Sequence, residues 1–119
     1  MYLPVPRELT TAVAEIKAWA GFEALIAVVV IFGSRLRGTN RPDSDLDVAV
    51  SLAASECDWI LYWTDNKRRW QRDLSARVGL TVDLDLAHPR LAPELWRYLQ
   101  EGHALAYSGC LRQGCDIHP

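Results

Sequence analysis

Three stretches of the chain repeat their apolar residues with the period of an α-helix. These stretches cover residues 7–20, 58–78 and 93–100. Apolar side chains spaced three and four positions apart fall on one face of a helix, which can then pack on a core. Gly21, Gly79 and Gly102 follow the three stretches, and glycine is common just past the end of a helix. We therefore predict three helices.

Four further stretches have the patterns of β-strands. Residues 24–32 are apolar and rich in β-branched side chains, as expected for a central strand covered on both faces. Residues 45–52 and 81–86 alternate, with leucine and valine on one face and mainly aspartate on the other. Residues 103–107 suit a short edge strand, and residues 33–43 a turn-rich connection. The pattern predicts an α/β (α+β) fold, a small mixed sheet of about four strands flanked by helices.

The composition indicates one globular domain. We assign residues 1–119 to it, with a core at 24–107 and a tail at 108–119. The formal net charge of −2 gives no general electrostatic argument for nucleic-acid binding. The N-terminus lacks the pattern of a secretory signal, and the longest apolar run, residues 24–32, is too short to cross a bilayer. Three cysteines, an odd number, fit a reducing compartment, so we expect a soluble cytoplasmic protein.

Two polar clusters have ordinary interpretations beside functional ones. Cys110, Cys115 and His118 are close in sequence, but their spacing matches no standard zinc pattern, so we expect an ordinary tail. A basic run on the long helix is expected to be a solvated face. Its other interpretation is a docking surface for an acidic partner or RNA; its members are Lys67, Arg68, Arg69 and Arg72.

The aspartates of the two alternating strands are the strongest chemical signal. Asp45 and Asp47 are two positions apart, as are Asp83 and Asp85, so each pair projects to one side of its strand. Carboxylates this close repel one another unless a cation lies between them. Hard oxygen ligands suit Mg²⁺, and a third carboxylate from a neighbouring strand would allow two metal ions to be bridged. Which of the second pair supplies it stays open at this point.

A glycine and a serine follow the apolar strand. Gly33 allows the backbone to approach a phosphate closely, and Ser34 adds a hydroxyl donor. Three arginines near this loop can neutralise a triphosphate: Arg35, Arg37 and Arg41. A calcium loop is excluded because its sixth and twelfth positions are Val48 and Ala54 rather than glycine and glutamate. The remaining alternative is an ordinary turn with solvent-facing aspartates, although aspartate is disfavoured in strands.

These motifs together resemble a known family. Gly33-Ser34, a gap of ten residues and Asp45-Leu46-Asp47 are similar to the signature of the DNA polymerase β-like nucleotidyltransferase superfamily. The stretch from Gly33 to Val50 resembles its minimal nucleotidyltransferase (MNT) branch. Val82-Asp83-Leu84 resembles the strand of the third carboxylate, and residues 95–107 resemble the closing helix and strand. The likeness covers most of residues 24–107.

The resemblance implies a reaction and a role for each motif. The family catalyses Mg²⁺-dependent attack of a hydroxyl on the α-phosphate of a nucleoside triphosphate. Asp45, Asp47 and Asp83 would be the catalytic residues and would bind two Mg²⁺ ions. Asp83, favoured over Asp85 by the family's pattern, would also help to deprotonate the hydroxyl. Gly33 and Ser34 would hold the β- and γ-phosphates of ATP.

The resemblance also implies a partner. We expect no room in the chain for a domain that recognises the acceptor, so a partner must supply recognition. MNT proteins are commonly paired with a helical HEPN protein, often an RNase toxin, and as antitoxins can transfer AMP to a tyrosine of that toxin. The alternatives are a binding module that occludes its partner and, further away, a transferase acting on an antibiotic. Direct nucleic-acid or membrane binding is not expected; a homo-oligomer stays open.

Overall fold

The three predicted helices and the four predicted strands all occur, in the predicted order. The computed structural model describes residues 2–109. Short 3₁₀ turns at Arg7–Leu9 and Glu56–Asp58 lead into the first and the long helix. The elements are α1 Thr10–Gly21, β1 Ile26–Phe32, α2 Gly33–Arg37, β2 Leu46–Leu52, α3 Trp59–Val78, β3 Val82–Leu86, α4 Pro93–Glu101 and β4 Ala104–Ser108.

The four strands form one mixed sheet in the order β3-β2-β1-β4. β1 pairs antiparallel with both β2 and β4, whereas β2 and β3 are parallel and are connected through α3. A parallel pair needs such a crossover, since a short turn cannot return the chain to the same end of the sheet. The predicted α+β architecture with a small mixed sheet is confirmed, as are the central position of β1 and the edge position of β4.

One face of the sheet carries the main core. Leu46, Val48 and Val50 of β2 are fully buried there, together with side chains from α1, α3 and the other strands. Trp70 of α3 is also fully buried, and its ring meets that of Trp19 edge-on at 6.4 Å. This packing fixes α1 and α3 on the same side, because large aromatic side chains bury much apolar area.

The opposite face of the sheet is covered only in part, by α4. Val30, Phe32 and Ala49 are buried against Leu99 of α4 in a second, smaller cluster. The sequence pattern predicts that this face of β2, which carries Asp47 and Ala49, is turned toward polar surroundings. That prediction is wrong for Ala49, which is 1% exposed. The short side chain of alanine lets α4 lie close to the strand at this position.

Side chains of α3 close the outer edge of β3. The Ser75 hydroxyl accepts a hydrogen bond from the Val82 N–H at 2.9 Å, and the Gln71 side-chain oxygen accepts one from the Leu84 N–H at 2.9 Å. At the other edge of the sheet, just before β4, the Leu3 N–H donates to the His103 carbonyl at 2.7 Å. Two backbone donors of β3 and one backbone acceptor next to β4 are thus satisfied within the chain.

Some local details differ from the sequence prediction, chiefly around the first glycine motif and at the start of β2. Residues 33–37, predicted as part of a turn-rich connection, form the short helix α2, which ends at Gly38 with φ +77°. The predicted strand 45–52 begins at Leu46 instead, because Asp45 precedes the ladder and the Leu46 N–H makes its first bond, to the Thr81 carbonyl. Among residues 2–109, no helix is both long enough and apolar enough to span a membrane. Cys110, Cys115 and His118 lie outside the described residues.

Candidate active site

The register between β2 and β3 sets two aspartates side by side. Asp47 pairs with Asp83 across the parallel strands, and Ala49 pairs with Asp85 one step further on. Asp83 is therefore level with Asp47, whereas Asp85 lies deeper along the sheet. Asp45 stands just before β2 and is exposed, as is Asp83, while Asp47 is half-buried.

Gly33 lies directly against Asp47. The antiparallel pairing of β1 with β2 puts Phe32 opposite Asp47, and Gly33 follows at once with φ +81°. A Cβ atom at Gly33 would lie 2.1 Å from Asp47 Oδ2, which is far closer than two such atoms can approach. The position thus requires glycine both for its backbone conformation and for the space that the carboxylate occupies.

Negative charge accumulates around Asp47. Burial and the neighbouring charges of Asp83, Asp85 and Asp45 raise the pKa of Asp47 to about 6. The pKa of Asp85 is also raised, first by burial and then by Asp83, while the charge of Lys67 lowers it. Repulsion of this kind destabilises the ionised carboxylates in the absence of a counter-charge.

The donor set fits a divalent cation, although it is not gathered around one point. Among residues 2–109, no three His, Cys, Asp or Glu side chains already stand close enough together to hold a metal ion. Asp45 and Asp83 are exposed, so their side chains can turn toward Asp47 without disturbing the core. The charges of Asp45 and Asp83 already raise the pKa of Asp47. Carboxylate oxygens are ligands that suit Mg²⁺, which would offset this repulsion.

The residues of the predicted phosphate loop take different positions. Ser34 is half-buried in the first turn of α2, and its carbonyl accepts the N–H groups of Gly38 and Thr39. Arg37 is exposed, and its guanidinium carbon lies 5.9 Å from the centre of the Tyr98 ring of α4. This places Arg37 on the α4 side of the sheet.

The other two arginines of this region make hydrogen bonds in the connection between α2 and β2, to which Arg41 itself belongs. Arg35 donates hydrogen bonds to the carbonyls of Ser44 and Pro42, at 2.8 and 3.0 Å. Arg41 is exposed, and its backbone N–H donates to the Ser44 hydroxyl at 2.9 Å. The sequence did not indicate these bonds, because nothing in the pattern shows which carbonyls a turn presents.

A groove opens beside Asp85. It has a volume of about 330 Å³, and it runs between α3 and the segment that enters α4. Its lining is apolar apart from Lys67 and Asp85 and comprises Ile60, Trp63, Leu86, Leu91, Ala92 and Leu95. Ile60 is 52% exposed, which is unusual for isoleucine. At the N-terminal end of α3, the rings of Trp59 and His88 pack edge-on at 4.6 Å.

The basic run of α3 does not form one continuous surface. Arg69 donates to both carboxylate oxygens of Glu23, at 3.1 and 3.2 Å, and Arg72 lies 3.9 Å from Asp73. Lys67 turns to the groove, with its ammonium 5.6 Å from the centre of the Trp63 ring. Sequence reasoning missed the position of Lys67 beside Asp85, since it depends on how α3 packs against β3.

Comparison with known proteins identifies the family. The sequence pattern of the family described as "Polymerase beta, Nucleotidyltransferase" matches residues 15–106, which include all four strands up to Ala106 and the aspartates described above. No curated protein shows a significant match to the chain. Since the family match covers more than half of the 119 residues, the chain belongs to the DNA polymerase β-like nucleotidyltransferases.

Proposed function

We propose that this protein transfers AMP from ATP to a hydroxyl group of another protein, in a reaction that requires Mg²⁺. The observation that carries the proposal is the register that sets Asp83 beside Asp47, with Asp45 and Gly33 at the same end of the sheet. Family membership supports nucleotidyl transfer as the reaction class. Because the chain resembles MNT proteins, we take the acceptor to be a tyrosine of a helical HEPN toxin and the protein to act as the antitoxin.

Asp45, Asp47 and Asp83 are the residues that would hold Mg²⁺. When bound, Mg²⁺ neutralises the carboxylates and the charge that develops on the triphosphate. Asp83 is accessible to the acceptor as a base, since it is exposed on the edge strand of the sheet. Its carboxylate takes the proton of the acceptor hydroxyl as the oxygen attacks the α-phosphorus. The bond from the α-phosphorus to the bridging oxygen breaks, and pyrophosphate leaves.

Gly33, Ser34 and Arg37 would bind the triphosphate. Gly33 has no side chain, so a phosphate could approach its backbone next to Asp47, one of the residues that would hold the metal. Arg37 lies on the same side of the sheet as α4 and is exposed, and its contact with the face of the Tyr98 ring does not use its N–H donors. A guanidinium matches the geometry of phosphate oxygens.

The groove beside Asp85 supports a protein as the acceptor. Its apolar walls would receive a side chain from outside, and it leads to Asp85, which is two residues from Asp83 on the same strand face. A phenol is apolar along its ring and ends in a hydroxyl, so a tyrosine suits a groove with apolar walls and a carboxylate at its end.

The experiment measures which phosphate of ATP is transferred to protein. The purified protein is incubated with Mg²⁺ and extract of its native cells, once with ATP radiolabelled at the α-phosphate and once at the γ-phosphate. We expect a protein other than this chain to take the α-label only, and mass spectrometry to find AMP on a tyrosine. Asp47→Asn should abolish labelling. Asp43→Asn is the matched control, because Asp43 is exposed and does not contribute to the pKa shift of Asp47.

The same experiment separates the alternative of a non-catalytic binding module. A partner that stays bound to the protein but takes no label with Mg²⁺ and any nucleoside triphosphate would contradict transfer and favour occlusion. Labelling from the γ-phosphate would identify a kinase reaction instead.

A further inference from the structure

Arg35 is bonded to the turn that precedes Asp45. Its Nε donates to the Ser44 carbonyl at 2.8 Å, and one terminal nitrogen donates to the Pro42 carbonyl at 3.0 Å. Both acceptors are backbone oxygens within three residues of Asp45. A guanidinium holds two such oxygens in a fixed relative position, because its donors are coplanar and rigidly spaced.

Two further hydrogen bonds close the same turn, between Arg41 and Ser44. The Ser44 N–H donates to the Arg41 carbonyl at 3.1 Å, and the Arg41 N–H donates to the Ser44 hydroxyl at 2.9 Å. After Asp45, the Leu46 N–H donates to the Thr81 carbonyl at 2.9 Å and starts the ladder with β3. Asp45 therefore lies between the turn that Arg35 holds and the first residue of β2, which is bonded to the residue before β3.

Arg35 also lies on a different side of α2 from Arg37. Arg35 lines a recess of about 240 Å³ together with Glu8 and Leu9, which precede α1. Leu9 belongs to the main core, on the face of the sheet opposite to Asp47. Arg37, by contrast, contacts Tyr98 of α4, on the side of Asp47. Of these two arginines, Arg37 is the one placed toward a bound triphosphate.

We infer that Arg35 is a positioning residue: it holds the turn of residues 41–46 and thereby the carboxylate of Asp45, and it is not a ligand of the triphosphate. This inference rests on the proposed role of Asp45 as a metal ligand. Groups that orient metal ligands commonly change metal affinity by roughly 10- to 100-fold when they are replaced. Arg35 therefore acts on the metal through the backbone of the turn.

The test compares Arg35→Lys with Arg37→Lys. Lysine keeps the positive charge but cannot donate to both carbonyls in the arginine geometry. Binding of Mn²⁺ alone is measured by the electron paramagnetic resonance of the free ion, and ATP binding by calorimetry. Amide hydrogen exchange at Ser44 and Leu46 is measured without metal. Circular dichroism and thermal unfolding check that both variants fold.

For Arg35→Lys we expect a dissociation constant for Mn²⁺ raised by about tenfold or more and faster exchange at Ser44 and Leu46. For Arg37→Lys we expect unchanged Mn²⁺ binding and weaker ATP binding. Arg35→Lys that binds Mn²⁺ like the wild type, or that loses only ATP affinity, would overturn the inference. If the wild-type protein binds no Mn²⁺, the proposed metal site, and with it the proposed function, is refuted. In that case the positioning role is still tested by amide exchange: unchanged exchange at Ser44 and Leu46 in Arg35→Lys would overturn it.

Discussion

Gly33 combines two requirements that are usually separate. Its φ of +81° disfavours any side chain, and a Cβ atom there would collide with Asp47 Oδ2. Gly38 has a similar φ of +77°, but a Cβ atom at Gly38 would meet open space, with nothing within 4 Å. The two glycines therefore separate the effect of backbone strain from the effect of crowding the site.

Alanine substitutions test this difference. Gly38→Ala should lower the free energy of unfolding by about 1–2 kcal/mol, the strain of a left-handed alanine, and leave ATP binding unchanged. Gly33→Ala should lower it further and also abolish ATP binding, because Asp47 must move away. Chemical denaturation and calorimetry measure the two quantities. Equal effects of both substitutions on ATP binding would show that the contact with Asp47 is unimportant.

The raised pKa of Asp47 predicts how stability depends on pH without metal. Its usual value is 3.8, and burial with the charges of Asp83, Asp85 and Asp45 raises it to about 6. Between these values the folded protein binds more protons at this carboxyl than the unfolded chain does. The contribution of Asp47 to the free energy of unfolding therefore falls as pH rises from about 4 to 6, and is lowest above this range.

In EDTA, Asp47→Asn should therefore raise the melting temperature at pH 7 and weaken the decline above pH 4. Added Mg²⁺ should raise the melting temperature of the wild type at pH 7 but not that of the variant. Differential scanning calorimetry over this pH range measures both. A variant with the same pH profile as the wild type would show that repulsion at Asp47 is not significant.

Asp83 and Asp85 should differ in their effect on transfer. The register places Asp83 opposite Asp47 and Asp85 opposite Ala49. Asp83→Asn should lower the rate of AMP transfer by about 10²-fold or more, as expected when a catalytic base is lost. Asp85→Asn should have a much smaller effect. Initial rates with ATP labelled at the α-phosphate provide the comparison, and equal or reversed losses would contradict the assignment of the third carboxylate to Asp83.

At the scale of elements, α3 supports the strand that carries Asp83. Gln71→Ala would leave the Leu84 N–H without its partner and should lower the free energy of unfolding by about 1 kcal/mol. Exchange at the Leu84 amide should accelerate. Arg72→Ala serves as the control, since its side chain is 75% exposed and lies 3.9 Å from Asp73. Urea denaturation that finds both variants equally stable would refute the role of Gln71.

The elements themselves were predictable where their apolar pattern is long. All three long helices and all four strands lie close to their predicted bounds, because apolar period reflects which face is buried. The largest difference is at α1, where residues 7–9 form a 3₁₀ turn before the helix. The five residues of α2 are too few to show a helical period, so they were predicted as part of a turn-rich connection. The opposite face of β2 was misjudged because alanine at position 49 does not reveal that α4 covers it.

The candidate site was predictable in its residues and not in its contacts. The sequence predicts the aspartates because residues two apart on a strand lie on one face. It predicts Gly33 and Ser34 because they directly follow a buried strand. The choice between Asp83 and Asp85 needs the register of two strands separated by α3, which no local pattern encodes. The bonds of Arg35 to the turn likewise depend on tertiary placement.

At the scale of the whole molecule, the groove beside Asp85 should decide which protein is modified. Ile60→Asp places a charge on a groove wall and should abolish labelling of the partner while leaving ATP binding unchanged. Leu61→Asp is the matched control, because Leu61 is 58% exposed but does not line the groove. Labelling assays and calorimetry give the comparison. Equal loss in both variants would show that the groove is not the acceptor site.

Hydrogen bonds to backbone groups at the edges of the sheet restrict how the molecule can associate. A peptide that extends a sheet must find free backbone donors, and the outward N–H groups of Val82 and Leu84 are already bonded to Ser75 and Gln71. The N-terminal segment blocks the start of the other edge through Leu3. Copies of this chain are thus hindered from templating one another into fibrils even when crowded. At the β3 edge, recruitment of another protein is therefore favoured through side chains, which can discriminate between partners as a backbone ladder cannot.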